Sequence, residues 1–243
     1  MIRLALVLGL AALAAPAGAV TCGEVEFEGT PYTVCEVAPR EERLRLFLNG
    51  PDGAPFGSFR AVEEAEGALA FATNAGMYHE DRRPVGLFVQ EGAEIAPLIT
   101  SDGPGNFGLL PNGLLCLSDE GAFVVESLAY EAGARDCDSA TQSGPMLVIG
   151  GELHPRFRED SDSLNIRNGV GTSADGSRAV FAISNRPVNF HDFARLFRDG
   201  LGLPDALYFD GRVSRLHAPA FGRSDFGTSM GPMIGVLAAD AAP

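Results

Sequence analysis

The sequence predicts an α+β protein, with a strand-rich mixed-sheet core, few helices and a single domain. Short apolar or alternating runs recur between Gly, Pro, Asn and Asp turns, the punctuation expected of strands. Only one stretch, about 190–201, shows clear helical spacing. No composition shift, linker or internal repeat divides the chain.

Strands are expected at 25–28, 32–37, 44–49, 69–73, 86–90, 107–110 and 114–117. Further ones are expected at 122–126, 146–149, 170–173, 178–184, 206–210, 213–217 and 233–237. Glu120-Gly121 and Gly150-Gly151 read as hairpin turns. The run Ala179-Val180-Phe181-Ala182-Ile183 is apolar on both faces, so it should be a central strand covered on both sides. In 190–201, Phe190, Phe193, Ala194, Phe197 and Leu201 share one helical face. Asn189 is the expected N-cap, and Asp192 and Arg198 suit the helix dipole at its two ends. Gly200, Gly202 and Pro204 stop the helix. A second, less marked helix is expected at 59–66.

Arg3, the apolar run Leu4 to Ala15 and the small-x-small triplet Ala17-Gly18-Ala19 read as a cleavable secretory signal over residues 1–19. That run is short of the roughly 20 residues needed to span a bilayer. Thr21 stands where a lipid-modified Cys22 would need Gly or Ala, which argues against lipidation. The expectation is a soluble periplasmic or secreted domain over 20–243, with no membrane span.

The formal net charge of −14 argues against nucleic acid or anionic lipid as partner, since both need basic surface. All 18 basic residues are Arg, which excludes Schiff-base chemistry, the phosphate-loop lysine and the Ser-x-x-Lys nucleophile. Four cysteines permit three pairings; Cys22–Cys35 and Cys116–Cys137 are preferred because each closes a short loop between expected strands. No Cys-x-x-Cys is present, and the four His lack ligand spacing, so neither a metal nor another cofactor is expected.

Gly227-Thr228-Ser229-Met230-Gly231 has the Gly-x-Ser-x-Gly form of a nucleophile elbow. That motif needs a later His, and the last His in the chain is His217, so the match is rejected. Asn74-Ala75-Gly76-Met77-Tyr78-His79 follows an apolar strand and offers an amide, a phenol and an imidazole to a ligand; the plain alternative is a tight turn. Gln142-Ser143-Gly144-Pro145, Arg167-Asn168-Gly169-Val170-Gly171 and Asp210-Gly211-Arg212-Val213-Ser214 share a layout, with polar residues beside Gly at a strand edge. Several such turns converging would rim a pocket with amides, a guanidinium and one carboxylate.

Taken in order with Gly105-Asn106-Phe107 and Asn189-Phe190, these segments resemble the phosphodiester glycosidase family over roughly residues 40–237. The family includes the lysosomal "uncovering" enzyme and bacterial proteins linked to exopolysaccharide biosynthesis. Its animal members remove N-acetylglucosamine from a sugar-1-phosphate diester on mannose, so the resemblance implies a glycan or sugar-phosphate substrate. It implies an exported hydrolase of glycosyl-1-phosphodiester bonds in a surface or extracellular glycan. The alternative is a non-catalytic binding protein for an anionic polysaccharide or sugar phosphate. Animal members carry a Gly-rich, Ser-containing turn after their aspartate; here Arg212 and Arg215 add bulk and charge, or lie solvated on an edge strand.

Ordinary glycosidases use two carboxyl groups, one to protonate a poor leaving group. A phosphate monoester already leaves acceptably, so the demand shifts to holding negative charge, which Arg does in bidentate geometry. The resemblance then implies a catalytic set of Asp210, Arg167 and Asn74, with Asp210 as base or oxocarbenium stabiliser and Arg167 on phosphate. Substrate-binding positions are Tyr78, His79, Gln142, Ser143, Gly144, Asn168, Gly211 and Ser214. A second acid, if one is used, is Asp192, Glu159, Asp160 or Asp162. The opposing view of Arg167 is a structural ion pair, for instance with Asp210.

Overall fold

The structure is a computed structural model and describes residues 20–238. The secretory signal expected over 1–19 lies outside the described residues. The chain begins with β1 (Thr21–Phe27), β2 (Thr30–Val37), β3 (Arg45–Phe47), α1 (Phe59–Glu66) and β4 (Leu69–Asn74). It continues through β5 (Phe88–Gln90), β6 (Ala93–Ala96), β7 (Gly113–Ser118), β8 (Gly121–Glu126), α2 (Ser127–Glu131), β9 (Ser139–Ser143), β10 (Met146–Ile149) and β11 (Glu152–Leu153). The last part holds β12 (Asn168–Thr172), β13 (Ala179–Ser184), α3 (Phe190–Arg195), β14 (Asp205–Asp210), β15 (Leu216–Ala218), β16 (Arg223–Ser224) and β17 (Met233–Leu237).

The strands form three sheets. A seven-stranded sheet has the order β1-β2-β13-β12-β14-β10-β11, and two five-stranded sheets have the orders β16-β15-β4-β17-β3 and β6-β5-β9-β7-β8. The strand-rich α+β expectation holds, but the named pairs are antiparallel rather than mixed. The reason is connectivity. The consecutive pairs β1–β2, β5–β6, β7–β8, β10–β11, β12–β13 and β15–β16 are joined by short connections, and the α3 crossover from β13 to β14 steps over β12, so those two strands never pair.

β13 is buried along its whole length, as its two-faced apolar pattern predicts. Phe181 and Ile183 point into the core where the three sheets meet, with Phe71, Leu115 and Ile234. Val180 and Ala182 face α3, with Phe193, Leu196 and Phe197. Phe71 and Phe181, 4.9 Å apart between centroids, bind the first sheet to the second. Each such fully buried side chain contributes about 1.5–3 kcal/mol of transfer free energy.

The expected helix at 59–66 is α1, capped by Ser58, whose hydroxyl accepts from the Ala61 amide at 3.2 Å. The helix expected at 190–201 is α3 followed by a π turn over Leu196–Gly200, closed by Leu201 N–H to Leu196 O at 2.8 Å. Asn189 is its N-cap, accepting from the Asp192 amide at 2.8 Å. Residues 107–110 make no strand; Leu109 N–H turns back onto Asn106 O at 3.2 Å. β9 was missed because its Ser-Ala-Thr-Gln-Ser sequence is polar, yet it pairs on both sides and is almost wholly buried.

Both disulfides fall as expected. Cys22 and Cys35 are direct cross-strand partners of β1 and β2, and Cys116 of β7 joins Cys137 before β9. No described helix is long and apolar enough to cross a membrane.

Candidate active site

The site grows from the C-terminal end of β14. Asp210 stands opposite Asn168 of β12 in the ladder, and the chain then turns sharply at Gly211. The Asp210 Oδ1 accepts the Gly211 N–H at 2.6 Å and the Arg212 N–H at 2.8 Å, the Asx turn expected of Asp-Gly. Burial holds this carboxyl above the ordinary aspartate range, opposed by backbone N–H groups of Arg212, Gly211 and Val213 and by the Arg212 charge. Among the described residues Asp210 is in no salt bridge. A Cβ at Gly211 would strike the Tyr208 hydroxyl, so the turn closes over Tyr208 only with glycine.

Arg167 enters from the residue before β12 and is wholly buried. Its Nε donates to Val188 O at 2.9 Å and its Nη2 to Ser163 O at 2.8 Å, while Nη1 reaches no acceptor within 3.5 Å among the described residues, the Tyr208 hydroxyl lending the guanidinium weaker support. The guanidinium lies 3.6 Å above the Phe190 ring and 5.4 Å from that of Tyr208. Burial pushes its pKa down, opposed by Tyr208. The guanidinium nevertheless stays charged. No carboxylate lies within 4.0 Å of it among the described residues, so the ion pair with Asp210 does not form. A buried cation with an orphaned donor is costly unless an anion completes it.

The other expected residues divide into two groups. Asn74 and Asn168 are buried and reciprocally bonded. Asn74 Nδ2 donates to Asn168 Oδ1 at 3.2 Å, and Asn168 Nδ2 to Asn74 Oδ1 at 2.9 Å. Asn74 Oδ1 also accepts the Arg215 N–H, and Asn168 Oδ1 the Asp210 N–H at 3.2 Å. The pair therefore ties the second sheet to the first directly behind the Asp210 turn. Ser214 completes the tie, donating to Ile166 O at 3.0 Å or to Asp210 O at 2.9 Å. Gln142 braces the 87–99 segment: its Oε1 accepts from Leu87 and Ile99 N–H groups and its Nε2 donates to Ser127 Oγ. Ser143 donates to Phe209 O at 3.0 Å, and a Cβ at Gly144 would press on Asn112. These residues set the geometry from behind and are saturated with protein partners.

Tyr78 is half-buried at the rim; burial raises its phenol, the Asp210 charge adds to the rise, and Arg82 and Arg215 oppose it. Its hydroxyl donates to Ser229 O at 3.3 Å. His79 is exposed in the next turn and lines a neighbouring hollow with Asp81, Arg82, Arg83, Pro55 and Ile95. Glu159, Asp160 and Asp162 are exposed on the loop before Arg167, and Asp160 is paired with Arg158. Asp192 lies beside His191 Nδ1 at 3.3 Å on α3. No group of three or more His, Cys, Asp or Glu among the described residues is placed to hold a metal ion.

Sequence reasoning missed Tyr208 and gave Phe190 no site role; their rings meet edge-on at 4.8 Å and form the bed for Arg167. It also missed the role of Asn106, whose side chain, with the Arg167 charge, opposes the rise that burial imposes on the Tyr208 phenol. The available signal was alternation along β14, which sets Tyr208 on the face opposite Leu207 and Phe209.

A strand scaffold thus carries a loop-bounded polar site, with a fully buried guanidinium and a half-buried carboxylate both bearing on Tyr208. The chain belongs to the phosphodiester glycosidase family: residues 67–217 match it. Membership carries a glycosidase-type function and a glycan substrate. Over 184 residues it is 32% identical to uncharacterized protein YigE of Escherichia coli strain K12, spanning 74% of this chain and 72% of that protein. The fold is similar to the zebrafish N-acetylglucosamine-1-phosphodiester alpha-N-acetylglucosaminidase catalytic domain auto-inhibited by its pro-peptide. That match has a TM-score of 0.64 and 11% identity, covering 94% of this chain and 86% of that one. A Burkholderia pseudomallei K96243 protein described as exported matches with a TM-score of 0.56 and 13% identity, covering 86% and 74%.

Proposed function

We propose that this protein is an exported hydrolase that cleaves glycosyl-1-phosphodiester bonds in a surface or extracellular glycan. The carrying observation is Arg167, buried without a carboxylate and with Nη1 unpartnered among the described residues, on the far side of Tyr208 from Asp210, Tyr208 feeling both charges. In this reading Arg167 Nη1 holds a phosphate oxygen. Asp210 takes a proton from the attacking water, whose oxygen bonds to the sugar C1. The C1–O bond breaks, and its electron pair leaves with the phosphate monoester, which needs little acid assistance. Tyr78 stands at the rim where the sugar would lie, while Asn74, Asn168 and Ser214 act as positioning residues behind Asp210. Export is supported by the apolar leader in the sequence, by the two disulfides, which persist in oxidising compartments, and by the similar structure described as exported.

The test incubates the full chain with methyl N-acetylglucosamine-1-phosphate and UDP-N-acetylglucosamine in isotopically labelled water. Free sugar carrying the label, and its loss in Asp210→Asn and Arg167→Ala, is the expected result. Label in phosphate instead would move the cleavage to the P–O bond. Saturable binding with no sugar released over hours would leave the protein a binder of anionic glycans.

A further inference from the structure

Arg167 accounts for one anion; further guanidinium groups near the same site are in no salt bridge among the described residues. The chain is acidic, with net charge −14, and most described arginines have a carboxylate within 4.0 Å, Arg83 and Arg223 among them. Arg82, Arg212 and Arg215 have none among the described residues. All three border the site. Arg82 lies 5.4 Å over the Tyr78 ring while also lining the hollow beside His79, the Arg212 charge acts on Asp210, and Arg215, whose N–H bonds Asn74, bears on Tyr78.

Their placement is built rather than loose. Arg82 holds a left-handed backbone, φ 73°, uncommon for a side chain of its size. The turn is pinned by Arg82 N–H to His79 O at 2.9 Å and by Val85 N–H to Met77 O at 3.0 Å. Arg215 donates through Nη2 to Thr228 Oγ1 at 3.1 Å, which fixes the loop carrying Phe226. Phe226 is 96% exposed although its flanks are anchored, by Asp225 N–H to Leu216 O at 2.9 Å on one side and Thr228 on the other. Three positive charges about the single carboxylate of Asp210 leave an excess of positive charge, and an exposed aromatic ring leaves apolar surface in water. A chain alternating phosphate and sugar satisfies both.

We propose that this rim of Arg82, Arg212 and Arg215 binds a second phosphate of the same glycan, with Phe226 covering an intervening sugar. The substrate class is then a polymer whose sugars are joined by repeated phosphodiesters, rather than an isolated diester. This rests on the reading given above for Asp210 and Arg167.

The test measures binding by calorimetry, so that it does not depend on turnover. Full-length Asp210→Asn protein is titrated with a trimer of N-acetylglucosamine joined by phosphodiesters, and with methyl N-acetylglucosamine-1-phosphate. The trimer is expected to bind roughly tenfold tighter or more, as two linked contacts imply. Its advantage should shrink with added salt. Adding Arg82→Ala and Arg212→Ala together should erase most of that advantage, and Arg60→Ala, on the distant α1, should not. A trimer that binds no tighter than the single unit, or not at all, overturns the proposal. So does an advantage that survives the double change. Wild-type protein that binds the trimer with this pattern but releases no sugar would sink the hydrolase reading and leave the subsite standing.

Discussion

At Asp210, burial and backbone hydrogen bonds pull in opposite directions, and burial is the larger effect. Its folded pKa is therefore above the ordinary aspartate value of about 3.9. Activity that needs the ionised base should fall as pH drops through this raised value, so the acid limb of a kcat/KM profile lies above the usual carboxylate range. The same shift has a stability sign. A raised folded pKa gives stability that is complete below the unfolded value and lost as pH rises, so ionised Asp210 burdens the fold at neutral pH. Asp210→Asn should thus melt no lower than wild type at pH 7, while kcat falls by roughly 10²–10⁴, as removal of a general base does. A variant that loses stability in step with activity would place Asp210 in the scaffold. At Arg167, inorganic phosphate should raise the melting temperature of wild type, by about 2.7 kcal/mol of stability at 100 times Kd. Arg167→Lys keeps the charge but loses the fork, and its phosphate stabilisation should largely vanish in the same assay. Asp210-Gly211 and Arg167-Asn168 were legible in the sequence because a carboxylate beside Gly and a guanidinium at a strand edge are chemically distinctive. Tyr208 and Phe190 were not, since an aromatic that beds a cation looks in sequence like any core aromatic.

Among the elements, α3 does more than cover β13. Its cap residue Asn189 accepts from the Asp192 amide and donates through Nδ2 to Glu159 O at 3.0 Å, on the loop whose Ser163 carbonyl receives Arg167. Asn189→Ala should cost about 1 kcal/mol through the lost cap. It should also raise KM more than it lowers stability would suggest, because the Arg167 loop loosens; denaturant melts alongside kinetics separate the two effects. Asn168→Ala is harsher, leaving buried partners on Asn74 and the Asp210 N–H unsatisfied at about 1–3 kcal/mol each. α1 and α3 could be read from capping and spacing, which are local. β9 could not, because polar Gln142 and Ser143 are paid for by partners 40 or more residues away, such as Ile99 and Phe209.

For the whole molecule, the strands were largely legible and their order was not. β2 lies beside β13, and β4 between β15 and β17, pairings that no local pattern records. Family resemblance supplied the function, whereas the three-sheet arrangement supplied the reason that segments near 74, 167 and 210 converge. Reducing Cys22–Cys35 should lower stability by about 3 kcal/mol, since it closes a loop with a sequence separation of 13. Because that bridge lies in the β1–β2 edge hairpin, away from Asp210, the reduced protein should keep its KM wherever it remains folded, a comparison made by assay before and after reductant.

The amide pair between the sheets has one more consequence, for the lifetime of the molecule. Asn168 precedes Gly169, a dipeptide whose amide cyclises readily in a loose chain, because glycine lets the next nitrogen reach the side chain. In the folded protein that nitrogen is held in the ladder and the amide is locked to Asn74. Folding therefore stops a chemical clock that runs in the denatured state. A sample held unfolded at mildly alkaline pH would accumulate a carboxylate at position 168, detectable by peptide mapping, and would refold with a charge wedged between two sheets.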